Sequence, residues 1–186
     1  MNQTPDINII VPLYNEQEGF DQLIHRLKLI IDSSKHNIEV ILVDDGSTDG
    51  TKGKMRELSY SNESFQSIFL SRNFGHQKAI TAGMKHVNAN HAIMIMDGDL
   101  QDPPEIIDQF FSQYENGYDV VYAIRKDRKG SFALKLAYRL FYLIMKKFSY
   151  IQIPLDSGDF SLMSRNVVNH INAMPEEGRF LRGMRA

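Results

Sequence analysis

Asp97, Asp99 and Asp102 stand close together, directly after the apolar run Ile93–Met96. Carboxylates this crowded raise one another's pKa unless a cation sits among them. In extended backbone, residues i, i+2 and i+4 face the same way, so Asp97, Asp99 and Gln101 are expected to point together into one site. Such an all-oxygen set suits Mg²⁺ or Mn²⁺ rather than zinc. A hard cation with so few protein ligands completes its shell with water and phosphate oxygens. An isolated D-x-D pair also fits a solvated turn. Asp102 carries a different expectation. It precedes Pro103 and Pro104 and lies three residues before Glu105, the pattern of a helix N-cap with a capping box.

Two further polar stretches have chemical content. In DDGSTDG, residues 44–50, Gly46 and Gly50 favour a tight turn, and Ser47 or Asp49 can cap a helix. Asp45, held at a strand end, can instead accept a hydrogen bond from a nucleobase N–H. In SRNFGHQK, residues 71–78, Arg72 and Lys78 lie near a helix start, where a phosphate is favoured; an ordinary basic surface is the alternative. His76 has no second histidine at metal-ligand spacing and is read as a loop hydrogen-bonding residue. No G-x-G-x-x-G follows the first strand and no P-loop lysine motif occurs, which argues against those two nucleotide folds.

Positioning these stretches requires a sheet. Short β-branched runs alternate with helical patterns, as in a parallel sheet with crossover helices. Strands are expected at Ile7–Val11, Ile38–Asp45, Ser67–Ser71, His91–Asp97 and Tyr118–Arg125, with a short one at Phe160–Met163. Helices are expected at Phe20–Ile31, after Asp49, at Gln77–Val87, at Pro104–Gly117, at Ser131–Phe148 and from Arg165. The stretch Pro154–Asp159 reads as a turn. In sheets of this kind ligands bind at the carboxyl ends of the strands, and all the chemically loaded loops fall there.

The chain has 186 residues, 42% hydrophobic and 24% charged, with a net charge of -2. That fits a single soluble α/β domain spanning residues 1–186 and gives no sign of nucleic-acid binding. The absence of cysteine excludes disulfides and thiolate metal sites. No signal peptide is visible, and the apolar run Leu140–Met145 is too short to span a bilayer. The charge is uneven, however. Between Asp127 and Asp156 there is no acid, while Arg128, Lys129, Lys135, Arg139, Lys146 and Lys147 are basic. The expected helix at 131–148 is amphipathic. It fits either a core helix with snorkelling lysines or a helix lying at a membrane interface.

The motifs VPLYNE, VDDGSTDGT, LSRNFGHQKAITAG, MDGDLQDPPE, VVYAIR, IPLDSGDFSLMSR and MPEEGRFLRGM occur in this order along nearly the whole chain. In this combination the sequence resembles the family 2 glycosyltransferases of the GT-A fold. Within them it is similar to the polyprenyl-phosphate sugar transferases, dolichol-phosphate mannose synthases and their bacterial undecaprenyl-phosphate relatives. The resemblance implies a Rossmann-like, mostly parallel sheet flanked by helices.

It also implies roles. Pro12, Tyr14, Glu16, Val43 and Asp45 match nucleoside-binding positions, with Lys78, Gly98 and Arg182 also on the substrate side. Asp97, Asp99 and Gln101 match the group that binds Mg²⁺ or Mn²⁺ and the sugar diphosphate. Arg125 matches an arginine that contacts phosphates, and Asp156 and Asp159 match the acceptor-side segment where some relatives carry a catalytic base. The implied partners are a nucleoside-diphosphate sugar (UDP favoured over GDP), a polyprenyl phosphate, the cytoplasmic face of a membrane and a possible second copy of the chain. Relatives continue past FLRGMRA, so a C-terminally shortened chain is expected. Two alternatives stay open: transfer to a glycan acceptor, and a nucleotide-sugar-binding module without full activity.

Overall fold

The computed structural model describes residues 4–124, 157–176 and 178–185. Its strands are β1 (Ile7–Leu13), β2 (Ile38–Asp44), β3 (Phe65–Phe69), β4 (Ala92–Ile95), β5 (Val120–Ile124) and β6 (Ser157–Ser164). They form one sheet in the order β3-β2-β1-β4-β6-β5. The pairs β1–β2, β1–β4 and β2–β3 are parallel, whereas β6 runs antiparallel to both β4 and β5. The helices are α1 (Phe20–Ser33), α2 (Thr51–Ser61), α3 (His76–Met84), α4 (Ile107–Glu115), α5 (Arg165–Ala173) and the short α6 (Leu181–Met184), with a 3₁₀ turn at Pro104–Ile106.

The central strands are apolar on both faces because both faces are covered. Along β1, Ile7, Ile9, Val11 and Leu13 pack with α1, α2 and α4 through Leu23, Leu27, Met55 and Phe110. Ile10 faces the other way, with Ile41 and Val43, against Ala79, Ile80 and Met84 of α3 and Val168 and Ile171 of α5. The buried exception on β1 is Asn8, whose Oδ1 accepts from the amides of Asn88 and Ala89, 2.8 Å from each. A buried amide satisfied in this way pins the 88–89 turn to the sheet.

The structure corrects several expectations. The strand expected at Phe160–Met163 runs from Ser157, so Asp159 lies within a strand and not in a turn. That strand is the reversed one, which alternation of apolar residues has no power to reveal. Asp102 and Glu105 do not form a capping box. The 3₁₀ turn has no side-chain cap, and Glu105 instead makes a two-pronged contact with Arg26, at 2.8 and 2.6 Å. A bidentate guanidinium outcompetes a single amide for a carboxylate. Asp49 does serve the start of α2: its Oδ1 accepts from Thr51 N at 2.9 Å. The expected helix at 131–148 lies outside the described residues.

Gly46 is the position where the backbone conformation is most constrained. Its φ is +73°, and a Cβ there would fall 2.3 Å from the carbonyl carbon of Arg72. The β2–α2 loop therefore presses against the β3–α3 loop with no room for a side chain. Gly46→Ala combines a left-handed residue with a backbone collision, so it should lower unfolding stability by at least about 2 kcal/mol. Urea unfolding followed by circular dichroism measures that loss.

Candidate active site

The loops at the carboxyl end of the sheet hold one another through side-chain to backbone hydrogen bonds. Asn15, in the left-handed region at φ 55°, donates its N–H to Ser47 Oγ and accepts from Thr48 N through Oδ1, at 2.9 and 2.8 Å. Glu16 N donates to Thr51 Oγ1, Gln17 N to Asp49 Oδ2, and Gly50 N returns to Gln17 Oε1. The β1–α1 loop is thus buttoned to the β2–α2 loop. Asp44 is fully buried, and its oxygens accept from the amides of Gly46 and Ser47. Asp45, next along the chain, reaches the third loop: Oδ1 accepts from Phe74 N at 2.8 Å and Oδ2 from Gly75 N at 2.9 Å.

These loops enclose a cleft of about 370 Å³, lined among others by Pro12, Tyr14, Glu16, Asp45, Asp97 and Asp99. That volume lies in the range of small-molecule sites, roughly 300–1,000 Å³. Gly98 lies between the two aspartates, and a Cβ on it would meet Leu13 Cδ2 at 2.4 Å. The structure therefore brings together Pro12, Tyr14, Glu16, Asp45, Asp97, Gly98 and Asp99. Val43 is not among them, because its side chain is fully buried in the core beside Ile10 and Gly83. Gln101 is exposed and outside the lining; β4 ends at Ile95, Gly98 and Asp99 form a turn and Leu100 is left-handed at φ 57°, so the i, i+2, i+4 alternation does not reach it. Gln101 N instead donates to Asp99 Oδ1 at 3.1 Å. Arg125 and Asp156 lie outside the described residues.

The register of β4 and β6 explains what faces Asp97. Ile95 is opposite Ser161, and two further residues along the antiparallel pair set Asp97 against Asp159. His76, the first residue of α3, spans the two: its Nε2 is 3.3 Å from Asp97 Oδ1 and 3.3 Å from Asp159 Oδ2. Asp159 is further held by Arg182, whose Nε and Nη2 donate to Oδ1 and Oδ2 at 2.8 and 3.1 Å, and by Gln77 Nε2 at 3.1 Å. Arg185 donates to the carbonyls of Gly158 and Asp159 and to Ser161 Oγ, which fixes the start of β6.

Charge in the cleft is unbalanced. Burial pushes the Asp97 carboxyl up, partly offset by His76, and Asp159, Asp99 and Asp102 push it further. Glu16 is also raised, first by burial and then by Asp99 and Asp49. For Asp159 burial works in the same direction but loses: hydrogen bonds from His76 and Arg182 hold its carboxyl well below the usual range. The hydrogen bond to Asp159 in turn raises His76 above the ordinary imidazole value, against the effect of burial. Asp159 is thus a committed anion, and Asp97 carries the excess negative charge.

Asp97 Oδ1 is closed to solvent and makes no well-directed hydrogen bond; His76 Nε2, at 3.3 Å, is its ion-pair contact. An enclosed oxygen of this kind, with Asp99 on the same cleft wall, fits a hard divalent cation. Among the described residues no three His, Asp or Glu side chains converge closely enough to hold a metal unaided. A cation bound there takes the rest of its shell from water or from a ligand.

Sequence reading assigned His76 a loop hydrogen bond and missed its place between the two carboxylates. The available signal was a histidine at a helix start among acid-tipped strands. Gln77, which joins Asp159 to the amide of Leu181, carried no signal at all. Lys78 lies outside the acidic cleft and lines a neighbouring hollow.

The model of the family described as "Glycosyl transferase family 2" matches residues 8–171. An uncharacterized glycosyltransferase, YkcC, of Bacillus subtilis is 42% identical over 185 residues, 99% of this chain and 57% of its own length. A prophage bactoprenol glucosyl transferase homolog of Escherichia coli is 34% identical over 179 residues, 96% of this chain and 58% of its own. The chain therefore spans a little over half the length of these relatives. Among solved structures, the mannosyltransferase PcManGT from Pyrobaculum calidifontis, in complex with GDP-Man and Mn²⁺, superposes with a TM-score of 0.64 at 18% identity, covering 94% of this chain and 48% of that one. The shared fold is GT-A.

The Arg182–Asp159 pair can be tested directly. Arg182→Ala leaves a buried carboxylate with His76 and Gln77 alone, and should cost roughly 1–3 kcal/mol, the lower part of that range being favoured by the partial exposure of Arg182. Arg182→Lys should recover only part of it, since an ammonium cannot make the two-pronged contact. Chemical denaturation of both variants gives the comparison.

Proposed function

The chain belongs to glycosyl transferase family 2, and from that premise we propose that it moves a sugar from a nucleoside-diphosphate sugar to a polyprenyl phosphate, with inversion at the anomeric carbon. The observation that carries this reading is the cleft itself. Asp97 and Asp99 share it with Tyr14, Glu16 and Asp45, so one recess offers an aromatic face and carboxylates at one part and an all-oxygen cation site at another. A nucleoside and a diphosphate need those two things side by side. The polyprenyl acceptor draws support from the bactoprenol glucosyl transferase homolog.

Asp97 and Asp99 would hold Mg²⁺ or Mn²⁺, which when bound supplies positive charge to the diphosphate as it leaves. Tyr14 and Glu16, on the buttoned β1–α1 loop, line the nucleoside end. Asp45 already satisfies two amides, but each carboxylate oxygen retains a second lone pair for a nucleobase N–H. The acceptor phosphate oxygen attacks the anomeric carbon, the bond from that carbon to the diphosphate breaks, and its electron pair departs with the diphosphate. A phosphate acceptor is already anionic, so no base is required. Asp159, tied to Arg182 and held ionised, is accordingly assigned the task of orienting His76 and Arg182. Arg125 and Asp156 are proposed for the acceptor side.

A UDP-sugar is the donor we favour, and the cytoplasmic face of a membrane the place. Among the described residues no helix is long and apolar enough to cross a membrane. The basic, apolar stretch 131–148 is proposed to lie along the lipid surface, gaining roughly 1 kcal/mol per Lys or Arg near anionic lipid. Co-sedimentation with anionic liposomes should therefore occur at low salt and fade at high salt; no binding at low salt removes this stretch as the attachment.

The decisive experiment follows labelled sugar from UDP-glucose, UDP-N-acetylglucosamine and GDP-mannose, with Mn²⁺, into polyprenyl phosphate or a soluble glycan. Extractable lipid-linked label is expected. Label in the glycan alone, or binding of nucleotide without transfer, replaces this reading with one of those two functions. Asp99→Asn should weaken Mn²⁺-dependent UDP binding more than tenfold, about 1.4 kcal/mol, by calorimetry.

A further inference from the structure

Asp159 sits where the outer edge of the sheet loses its regular pairing. Tyr122 of β5 is opposite Ser161 of β6, but Ile124 is opposite Ser157. Two steps along β5 therefore correspond to four along β6, and Gly158, Asp159 and Phe160 share the span of Ala123. An irregularity of this kind re-aims the side chains within it, and it persists where the displaced carbonyls find other donors.

Arg185 supplies such donors. Its Nη2 donates to the Gly158 carbonyl at 2.5 Å, and its Nη1 to the Asp159 carbonyl and to Ser161 Oγ at 3.2 and 2.6 Å. Ser161 Oγ in turn donates to the Asp159 carbonyl at 2.8 Å. The guanidinium carbon lies 5.8 Å from the centroid of the Tyr122 ring, within cation–π range, so β5 contacts it as well. One planar fork thus spans three positions of β6, which a guanidinium can do and an ammonium cannot. Arg185 closes α6, and its amide donates to the carbonyl of Leu181, which is buried in the core. Arg182, one turn earlier, holds the Asp159 side chain, while Arg185 holds the Asp159 main chain. A single helical turn therefore grips both halves of one residue.

We propose that Arg185 is a positioning residue of the active site: by filling the irregular start of β6 it sets the direction of the Asp159 carboxylate, and through it the place of His76 on the cleft wall. The proposal rests on the orienting role given to Asp159 above. The Asp159 carboxylate meets Arg182, Gln77 and His76 at 2.8, 3.1 and 3.3 Å, and these three contacts hold together only for one orientation of the backbone at residue 159. Arg185 does not line the cleft, so its effect passes through Asp159. A brace that served stability alone would leave the three contacts unchanged in a folded variant.

The test uses the 186-residue chain and Arg185→Met, which removes every side-chain donor, with circular dichroism to establish folding. In nitrogen–proton correlation spectra the Arg182 Nε–H and the Gln77 side-chain amide report directly on the Asp159 carboxylate. Both signals should move toward their free positions in Arg185→Met, and Arg185→Lys should move them part of the way. Leu58→Ala, which opens the core under α2, should leave both in place. With the donor that the labelled-sugar assay selects, Arg185→Met should lose at least about tenfold in kcat while the donor KM changes by less than about twofold. Unmoved Arg182 and Gln77 signals in folded Arg185→Met overturn the proposal, as does an equal movement in Leu58→Ala. Moved signals with unchanged kcat overturn its catalytic part. If Arg185→Met does not fold, Arg185→Lys decides in the same way. A parent chain that transfers no sugar counts against the lipid-phosphate reading alone, and the two signals still decide the place of Arg185.

Discussion

The structure depends on the mutual hydrogen bonding of three strand-end loops. Apart from Pro12 in β1, the cleft residues named above sit on connections or at the end of an element, where backbone is ordinarily mobile. Here the loops are not independent. Asn15, Glu16 and Gln17 exchange hydrogen bonds with residues 47–51, and Asp45 holds the amides of Phe74 and Gly75. Each bond alone contributes about 1 kcal/mol. Together they tie the three loops to one another, and the tight approach at Gly46 closes the gap between two of them.

That linkage holds an electrostatic imbalance in place. Glu16, Asp45, Asp97 and Asp99 in one recess repel each other, and burial adds to the penalty for Asp97 and Glu16. A flexible rim would relax by turning the carboxylates outward. The hydrogen-bonded rim opposes that turn, and the negative charge stays concentrated in the recess. Asp159 escapes the same fate only because Arg182 and His76 answer its charge. One carboxylate is answered by a guanidinium and an imidazole, its neighbour by the imidazole alone among the ion pairs of the described residues, and the imidazole connects the two.

Much of this was legible in the sequence, for identifiable reasons. The first four strands were legible as short β-branched apolar runs and most of their helices as period-3.6 apolar spacing, and the aspartates at strand ends marked the site. Boundaries drifted where the signal was weak: β3 begins at Phe65 instead of Ser67, and α3 ends at Met84 instead of Val87. The failures share one origin. Glu105 left its expected capping box because Arg26, far away in sequence, offered a stronger partner. Val43 went to the core because both faces of β2 are covered. Gln101 fell outside the cleft because the turn at Gly98–Asp99 and the left-handed Leu100 break the alternation. Each outcome was decided by a contact or a dihedral angle that no local pattern encodes.

The reversal of β6 was the least legible feature, and it bears most on function. In a fully parallel sheet every strand would present its carboxyl end to the site, and Asp159, three residues into its strand, would lie at the far edge. Reversal puts the beginning of β6 at the carboxyl edge of β4. Asp159 then meets Asp97 across the pair, close enough for one imidazole nitrogen to reach both. The same reversal leads the chain on through α5 to Leu181, whose amide donates to Gln77 of α3, and to Arg182, which holds Asp159. A single change of strand direction therefore brings Arg182, from late in the chain, to the rim of the acidic cleft.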